Sequence, residues 1–436
     1  MSRPVVRRGR VAVCLLVLLT PLSGCTGSGH QSSSGGAGDM AAAPGAGVDR
    51  RPKTPVPVTS APRPDLVVWA PPDVAPALRP LAKRFGTVRG LSVSVDSVSD
   101  VRSALADVAG GDTGPDVFLG PHAWLGELEQ EHEIRAVPLS GDQRGRLAPK
   151  ALAAARYDQR LWGVPYSIAN LARVRNTDLA PDAPRTFADL VATGRALKGA
   201  GRVNRILLQT VGSTGDVYAG YPYLSAYGGG IFAKTPGGGY SPDRLIVDDD
   251  ASVRGADQLA QLSRQGVISK DVDNTNAVPL FGDGRAPYLI TGAWSMPVIR
   301  DSGVPYAISP VPELSGGGRP RPLLDVDLFY VSAHADRPAI AQEFVRDCAT
   351  RRDVQVRLAR ATGLPPALTS AYHQVAAKDP DYAGWFTAGE SGDPVPALPQ
   401  MRAVWGPLAQ AFADIVAGDD PATRLRAASH EITSDL

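Results

Sequence analysis

From Asp65 onward, the sequence alternates between short apolar runs and longer segments with apolar residues at helical spacing. The run DLVVWA is followed by APALRPLAKRFG, LSVSVDSV, DVRSALADVAGG, PDVFLG and HAWLGELEQEH. Short apolar runs are typical of buried parallel strands, and the segments between them are long enough for crossover helices. The alternation therefore predicts successive βαβ units, and with them a mainly parallel sheet that has helices on both faces.

The same alternation continues through the second half of the chain. The runs LWGVPYSIANL, RILLQTV and LLDVDLFYVS are predicted strands, and TFADLVATGRALKGAG and DVYAGYPYLSAYGGG are predicted helices. About 370 residues of this pattern exceed what one hydrophobic core supports, so we expect two domains. Open α/β sheets bind ligands beyond the carboxyl ends of their strands, which here predicts binding residues at 70–73 and 120–124.

The first 24 residues have the pattern of a secretory signal peptide. Arginines precede an apolar run from Val11 to Leu22, which is too short for a bilayer-spanning helix. The following Leu-Ser-Gly-Cys is similar to the lipobox of bacterial lipoproteins, in which the cysteine, here Cys25, is lipidated and becomes the new N-terminus. Residues 25–64 are rich in Gly, Ser and Pro, which predicts a disordered tether. We expect an exported protein anchored to the outer face of the bacterial cytoplasmic membrane.

The overall charge argues against a nucleic-acid-binding protein, and the cysteine content argues against a disulfide-stabilised one. Lys and Arg number 45 against 44 Asp and Glu, so no basic surplus is available for nucleic acid. Once the signal peptide is removed and Cys25 is lipidated, Cys348 is the last remaining thiol, and no intramolecular disulfide can form. Cys348 lies in the helical pattern EFVRDCATR, where we interpret it as a small buried apolar residue.

The sequence lacks the motifs of several enzyme classes. We find no Gly-x-Ser-x-Gly, no Gly-x-Gly-x-x-Gly after a strand, no Walker motif and no His-Glu-x-x-His. EQEHE around His132 lacks a second zinc-binding histidine, and the segment from Asp271 lacks the glycine and glutamate of a calcium loop. We therefore predict no catalytic residue, no metal and no cofactor. A carboxylate pair that hydrolyses glycosides stays open as an alternative, since such a pair needs no sequence motif.

Aromatic residues recur near turns and helix starts. They are Trp124, Tyr218, Tyr221, Tyr223, Tyr227, Trp294, Trp385 and Trp405. A single aromatic residue packs in a core more often than it binds a ligand. Several flat rings beside polar groups nevertheless suit a carbohydrate, because a sugar offers an apolar C–H face for stacking and hydroxyls for hydrogen bonds.

Taken together, the segments from Asp65 to Leu436 resemble the extracellular solute-binding proteins of ATP-driven (ABC) importers. The resemblance is to the group that includes maltose- and maltodextrin-binding proteins. The stretches that carry it occur in the family's order: GDTGPDVFLGPHAWLGELEQ, RYDQRLWGVPYSIANLARVRNTDL, RTFADL, DVYAGYPYLSAYGGGIF, LFGDGRAPYLITGAWSMPVI, EFVRDCATRRDVQVRLARATGLPPA and ALPQMRAVWGPLAQAF.

This resemblance implies the type II periplasmic-binding-protein-like fold, in which two α/β lobes enclose a ligand cleft. Crossovers between the lobes are expected near residues 164–170, near 323–329 and around Tyr372. The expected N-terminal lobe comprises 65–168 and 325–372, and the expected C-terminal lobe comprises 169–324 and 373–436. Closure of the lobes on the ligand would let the protein dock on a membrane permease.

The resemblance also implies ligand contacts. Trp294 in TGAWSM and Trp405 in MRAVWGPL lie where the family has stacking tryptophans, and Tyr218 lies where it has a stacking tyrosine. Asp73, after the first strand, matches a sugar-binding aspartate. We add Tyr221 as a further aromatic contact.

Other cleft positions differ from those of the maltodextrin binders. Trp124 and Asn170 are expected to line the cleft without matching the family's residue types. Gly120 replaces a tryptophan at the end of the third strand, and Ala169 replaces a glutamate. A buried hydrogen bond to a charged group is worth about 1.5–3 kcal/mol, so these losses argue against maltose itself.

The resulting hypothesis is a monomeric, lipid-anchored binding protein that captures a carbohydrate in its interlobe cleft and delivers it to an ABC permease. We expect this carbohydrate to be an oligosaccharide. Three alternatives stay open at this point. The same fold could bind a polyamine, peptide or amino acid, and two or more carboxylates beside the aromatic rings would favour such a cation. The protein could instead present its ligand to a membrane sensor, or hydrolyse it.

Overall fold

The computed structural model describes residues 63–108 and 113–436. The predicted signal peptide, Cys25 and the tether up to residue 62 lie outside these residues. The strands are β1 (Leu66–Ala70), β2 (Val93–Ser97), β3 (Val117–Pro121), β4 (Ile134–Arg135), β5 (Arg156–Tyr157), β6 (Arg160–Leu161), β7 (Gly163–Asn176), β8 (Leu208–Gln209), β9 (Phe232–Lys234), β10 (Tyr240–Leu245), β11 (Tyr288–Gly292), β12 (Tyr306–Ser309), β13 (Leu323–Ser332) and β14 (Asp393–Pro394).

The helices alternate with these strands. They are α1 (Ala75–Arg89), α2 (Val101–Asp107), α3 (Leu125–Gln130), α4 (Gly141–Gly145), α5 (Pro149–Ala154), α6 (Phe187–Gly199), α7 (Val217–Ala226), α8 (Asp250–Arg264), α9 (Ala277–Gly282), α10 (Met296–Asp301), α11 (Pro338–Ala349), α12 (Arg352–Thr362), α13 (Thr369–Ala376), α14 (Pro380–Gly389), α15 (Met401–Ala417) and α16 (Pro421–Ser434). Short 3₁₀ turns, His122–Trp124 and Ala293–Ser295, precede α3 and α10.

The predicted order of strands and helices is confirmed, and the lengths of two elements differ from the prediction. The strand predicted at RILLQTV is only two residues long, Leu208–Gln209. The strand predicted at LWGVPYSIANL extends to Asn176 and becomes β7, with 14 residues. Helix α6 begins where TFADL predicts it, because Thr186 Oγ accepts from the Asp189 N–H and the Asp189 carboxylate accepts from the Thr186 N–H.

The main sheet joins parallel and antiparallel strands. Its order is β2-β1-β3-β13-β7-β11-β8, with β4 and β14 paired to β13 and β12 paired to β7. Strand β1 runs parallel to β2 and β3, and β11 runs parallel to β8, as the βαβ pattern predicts. The strands β7 and β13 are antiparallel to each other and to their neighbours β11 and β3. The two parallel regions therefore meet through an antiparallel pair.

Strand β7 belongs to both regions of the sheet. Its first half pairs with β13, with Pro165 opposite Leu328 and Asn170 opposite Leu324. Its second half, from Leu171, pairs with β11, and its last residues pair with β12. All of β7 is buried except the half-buried Ala169. This strand therefore joins the two regions of the sheet.

The hydrophobic core is divided in the same way. Around β1, β3 and the first half of β7, buried side chains pack with α1, α11 and α12, and the Phe85 and Phe344 rings meet edge to face at 5.1 Å. Around the second half of β7, separate clusters include Leu190, Phe412 and Trp385. The predicted fold class, a two-lobed α/β protein, is confirmed, while the residue boundaries of the lobes stay predictions.

Gly215 marks a close approach between the loop before α7 and helix α15. Its φ of +72° lies in the left-handed region, and a Cβ there would lie 1.7 Å from the Ala409 carbonyl oxygen. Gly228 has a similar φ of +88°, but a Cβ there would meet nothing within 4 Å. Substitution at these two glycines therefore distinguishes the cost of backbone strain alone, at Gly228, from that of strain combined with steric overlap, at Gly215.

We expect Gly215→Ala to lower the free energy of unfolding by about 2–5 kcal/mol, because it combines left-handed strain with a clash against helix backbone. The matched control Gly228→Ala should cost only the strain, about 1–2 kcal/mol. Urea unfolding followed by circular dichroism measures both values. Equal losses in the two variants would show that α15 does not pack against Gly215 as described.

Candidate ligand-binding site

A cavity of about 650 Å³ lies against the paired strands β7 and β13, where the lobes meet. Its volume falls within the range of small-molecule sites. It is lined by Asp73, Ala169, Asn170, Leu171, Thr210, Asp216, Tyr218, Ala219, Asn274, Ala277, Val278, Ile290, Thr291, Trp294, Ser295, Asp325, Asp327, Thr362 and Leu364. The cavity is thus built from the loop after β1, the paired strands, the start of α7 and the 3₁₀ turn after β11.

A second cavity, of about 370 Å³, adjoins the first. Tyr218 and Asp325 line both, so the two cavities form one cleft. The second cavity is lined further by Trp124 and Trp405. The Tyr218 and Trp405 rings stack with their centroids 5.6 Å apart and their planes 12° apart. Since Trp294 lines the first cavity, aromatic faces occur in both parts of the cleft.

Two glycines make room for the tryptophan rings on the cleft. A Cβ on Gly120, in β3, would lie 2.0 Å from the Trp124 ring, and a Cβ on Gly292, in β11, would lie 2.0 Å from the Trp294 ring. In each case the strand continues into a 3₁₀ turn that returns the indole over the strand's last residues. The Trp124 indole therefore occupies the space that a side chain at position 120 would need. Trp294 remains 56% exposed, as a platform for a ligand would be.

Carboxylates gather on the β13 side of the cleft. Asp325 and Asp327 are two residues apart on one strand, so both side chains face the cleft, while Val326 between them faces the core. The Ser167 hydroxyl donates to Asp327 over 2.5 Å. Burial, followed by the neighbouring Asp325 carboxylate, raises the pKa of Asp327 to about 7, and the Ser167 hydrogen bond opposes this shift.

A further carboxylate comes from the opposite lobe. Asp216 is the N-cap of α7, and its Oδ1 accepts from the Ala219 N–H over 3.1 Å. Burial raises the pKa of Asp216, although the backbone N–H groups of Ala219 and Tyr218 act in the opposite direction. The same helix start thus positions an acid and the stacking ring of Tyr218.

His122 lies beside Asp325 and is neutral. Its Nε2 lies 3.0 Å from the Val395 carbonyl oxygen, to which it donates, and its Nδ1 accepts from the Val326 N–H over 3.1 Å. Because one nitrogen donates and the other accepts, the ring carries a single proton. Asp325 Oδ1, although it is 3.3 Å from Nδ1, is buried and has no hydrogen-bond partner in the described structure.

Six of the seven predicted ligand contacts line this cleft. Asp73, Asn170, Tyr218 and Trp294 line the first cavity. Trp124 and Trp405 line the second, and Tyr218 is shared. Their location agrees with the sequence analysis, and their role in binding stays a prediction.

The seventh predicted contact, Tyr221, lies in the core and lines neither cavity. Tyr221 is 4% exposed, and its hydroxyl donates to Asp393 over 2.9 Å. Lys234 and Arg321 also bind that carboxylate. On helix α7, Tyr218 and Tyr221 are three residues apart, and only Tyr218 reaches the cleft. Tyr221 holds the buried Asp393 instead of a ligand.

The sequence analysis missed the acids at 216, 325 and 327. A signal for two of them was present: in LLDVDLF, acids alternate with apolar residues in a run otherwise typical of a buried strand. Such alternation indicates that one face of the strand leaves the core. Asp216 had no comparable signal, since an aspartate before a helix is an ordinary N-cap.

Residues 63–108 and 113–436 contain neither a candidate metal site nor a candidate membrane span. No group of three or more His, Cys, Asp or Glu side chains there could hold a metal ion. None of the helices in the same ranges combines the length and the apolar character needed to cross a membrane.

Comparison with known proteins identifies the family. Residues 81–384 match the family model described as bacterial extracellular solute-binding protein. The chain belongs to this family. The family is extracellular, in agreement with the predicted export, and its members bind solutes.

Curated relatives of the binding protein match across most of its length. A galactooligosaccharide-binding protein of Bacillus subtilis (strain 168) is 22% identical over 366 residues, which cover 81% of this chain and 85% of that protein. A maltotriose-binding protein of Pyrococcus abyssi (strain GE5 / Orsay) is 24% identical over 326 residues, covering 73% and 69%. A maltooligosaccharide ABC transporter solute-binding lipoprotein of Streptococcus pneumoniae (strain ATCC BAA-255 / R6) is 23% identical over 370 residues, covering 82% and 85%.

The raised pKa of Asp327 predicts a pH-dependent stability. The groups that act on it are the carboxylates of Asp325 and Asp73, the Ser167 hydroxyl and the His122 ring. Between pH 4 and pH 7 the unfolded chain has released this proton while the folded protein retains it, since an unperturbed Asp has a pKa of about 3.9. The free energy of unfolding therefore falls as the pH rises through this window and levels off above about pH 7.

We expect Asp327→Asn to remove this loss, because the amide carbonyl still accepts from Ser167 and carries no charge. The free energy of unfolding of the variant should exceed that of the native chain by an amount that grows from pH 5 to pH 8 and reaches on the order of 2 kcal/mol. This figure allows for the contact of the half-buried carboxylate with water, which weakens the effect. Thermal unfolding at both pH values measures this change. Asp243→Asn, at an exposed site, serves as the control; an advantage independent of pH would contradict the assignment.

Proposed function

We propose that the binding protein captures an oligosaccharide in the interlobe cleft and delivers it to the permease of an ABC importer. The observation that supports this most directly is the combination of stacked Tyr218 and Trp405 with Trp294 in a cleft rich in hydrogen-bond acceptors. Rings of this kind take the C–H faces of sugars, and carboxylates accept hydrogen bonds from hydroxyls. The relatives named above are, by their names, binding proteins for oligosaccharides.

The length of the cleft favours an oligosaccharide over a monosaccharide. The first cavity, of about 650 Å³, and the adjoining one, of about 370 Å³, each offer their own aromatic face. Trp294 serves the first, Trp405 serves the second, and Tyr218 lies between them. A ligand of more than one ring engages both faces.

Closure of the lobes couples binding to delivery. We place 65–168 with 325–372 in one lobe and 169–324 with 373–436 in the other. A sugar that contacts Asp73 and Tyr218 at once touches both lobes and favours the closed form, because a ligand shifts a conformational equilibrium by its differential affinity for the two states. The closed, loaded form is the one that docks on the permease.

The remaining parts of the proposal concern the membrane. Cys25 carries the lipid, and residues 26–64 tether the monomeric lobes at the outer face of the cytoplasmic membrane. One of the relatives is itself named a lipoprotein. The ligand leaves the protein unchanged, so the protein is a carrier and not an enzyme.

Truncation of the stacking rings tests the saccharide site. We expect Trp294→Ala and Trp405→Ala each to weaken binding about tenfold, because an aromatic contact contributes about 0.5–1.5 kcal/mol beyond its buried area. Trp294→Phe and Trp405→Phe retain a flat face and should recover most of the affinity. Calorimetric titration of the full-length chain in detergent with maltotriose, galactotriose, cellotriose and chito-oligosaccharides measures these values.

The same titration with peptides and amino acids, and analysis of the recovered sugar, give three outcomes that would contradict the proposal. Binding of a peptide or amino acid in place of every saccharide would replace the ligand class. Alanine variants that bind as tightly as the native chain would move the site out of this cleft. Chromatography of the recovered ligand completes the test, and shortened sugar would establish hydrolysis.

The anchor is tested with two cysteine variants. We expect Cys25→Ala to move the protein from the membrane fraction to the soluble fraction, because the acyl chains supply about 0.8 kcal/mol per buried methylene. Cys348→Ala is the matched control: this thiol is 4% exposed, and burial raises its pKa to about 12, so it is a poor nucleophile. Immunoblots of the membrane and soluble fractions measure where each variant is found. Retention of the Cys25 variant in the membrane fraction would refute the lipid anchor.

A further inference from the structure

Acidic side chains predominate in the first cavity of the cleft. Among the described residues that line it are the carboxylates of Asp73, Asp216, Asp325 and Asp327, and these lining residues include no Lys, Arg or His. The second cavity differs, since Glu127 and Arg402 lie 3.9 Å apart there and oppose each other in charge. Asp325 lines both cavities, so acids outnumber bases in each, and the excess is larger in the first.

Groups next to the cavity leave part of this charge uncompensated. Asp216 is engaged as the N-cap of α7, and Asp327 accepts from Ser167. His122, which lies beside Asp325, is neutral because its nitrogens serve the Val326 N–H and the Val395 carbonyl. Asp325 Oδ1 is thus a buried carboxylate oxygen at the cavity without a hydrogen-bond partner in the described structure.

Closure of the lobes makes this arrangement costly for a neutral ligand. Closing removes water from the carboxylates, and a buried charge is expensive unless it is paired. Hydroxyls of a neutral sugar supply hydrogen bonds without supplying charge. A protonated amine supplies both, and the Trp294 and Tyr218 faces in the same cavity attract cations as well as sugar C–H groups.

We infer that the captured saccharide is an amino sugar whose protonated amine lies in the first cavity beside Asp325 and Asp73. This inference rests on the proposed function and names the ligand class of the same site. The second cavity, with its Tyr218–Trp405 stack and opposed charges, takes a neighbouring ring of the same ligand. The stacked rings of the second cavity favour an oligosaccharide over a linear polyamine, which has no flat face to stack.

The test compares two ligands that differ in the nitrogen substituent, which is a protonated amine in one and a neutral acetamide in the other. Triglucosamine and tri-N-acetylglucosamine have the same rings and linkage, and at pH 6.5 only the first carries protonated amines. Calorimetric titration of the full-length chain in detergent should show at least tenfold tighter binding of triglucosamine. Asp325→Asn and Asp73→Asn should each reduce that preference severalfold while affecting the acetylated trimer less, and the exposed control Asp243→Asn should preserve it.

Each other result has a defined meaning. Equal or tighter binding of tri-N-acetylglucosamine, or of maltotriose, would overturn this inference and leave saccharide capture standing. Spermidine binding without any saccharide binding, or no binding by any of these ligands, would overturn both. A preference lost equally in the Asp243 variant would show that overall charge, and not this cavity, selects the amine. Asp73 lies on an exposed loop, so its variant retains the test if Asp325→Asn fails to fold.

Discussion

The antiparallel pairing of β7 with β13 is the constraint on which the cleft depends. It sets Asp325 opposite Ala169 and Asp327 opposite Ser167, so residues from two distant parts of the chain share one surface. Because successive side chains in a strand point to opposite faces, Val326 enters the core while its acidic neighbours enter the cleft. A register shift of one residue would exchange these faces and remove both core and site.

Buried polar side chains stabilise the strand that makes this pairing possible. Gln355 is fully buried, donates to the carbonyl oxygens of Pro165 and Ala349, and accepts from the Leu368 N–H. Near the other end of β7, Arg173 donates to the Pro184 carbonyl and the Ser309 hydroxyl. Gln355 has partners for its buried amide, whereas Arg173 keeps one buried donor, Nε, without a hydrogen-bond partner in the described structure, which costs about 1–3 kcal/mol. They tie β7 to elements of both lobes.

The cleft shows a conflict between stability and binding. Burial beside Asp325 raises the pKa of Asp327 to about 7, so ionisation of this cleft carboxyl destabilises the folded protein. Elsewhere the chain pairs its buried acid, since Asp393 is held by Lys234, Arg321 and the Tyr221 hydroxyl. The contrast agrees with the proposed role of the cleft acids in binding a ligand, because strain of this kind persists where function requires it.

Hydrophobic periodicity and N-caps act over a few neighbouring residues, so the sequence by itself determined the order of strands and helices. The resemblance to solute-binding proteins placed six residues in the cleft, and their role in binding stays a prediction. Tertiary structure alone decided which face of α7 meets the cleft, so Tyr218 lines it and Tyr221 binds Asp393. It also decided the charge of the site, since Asp216 and Asp325 lie more than a hundred residues apart. No local sequence pattern predicts that these two acids lie near each other, because their proximity arises only when distant parts of the chain pack together in one register.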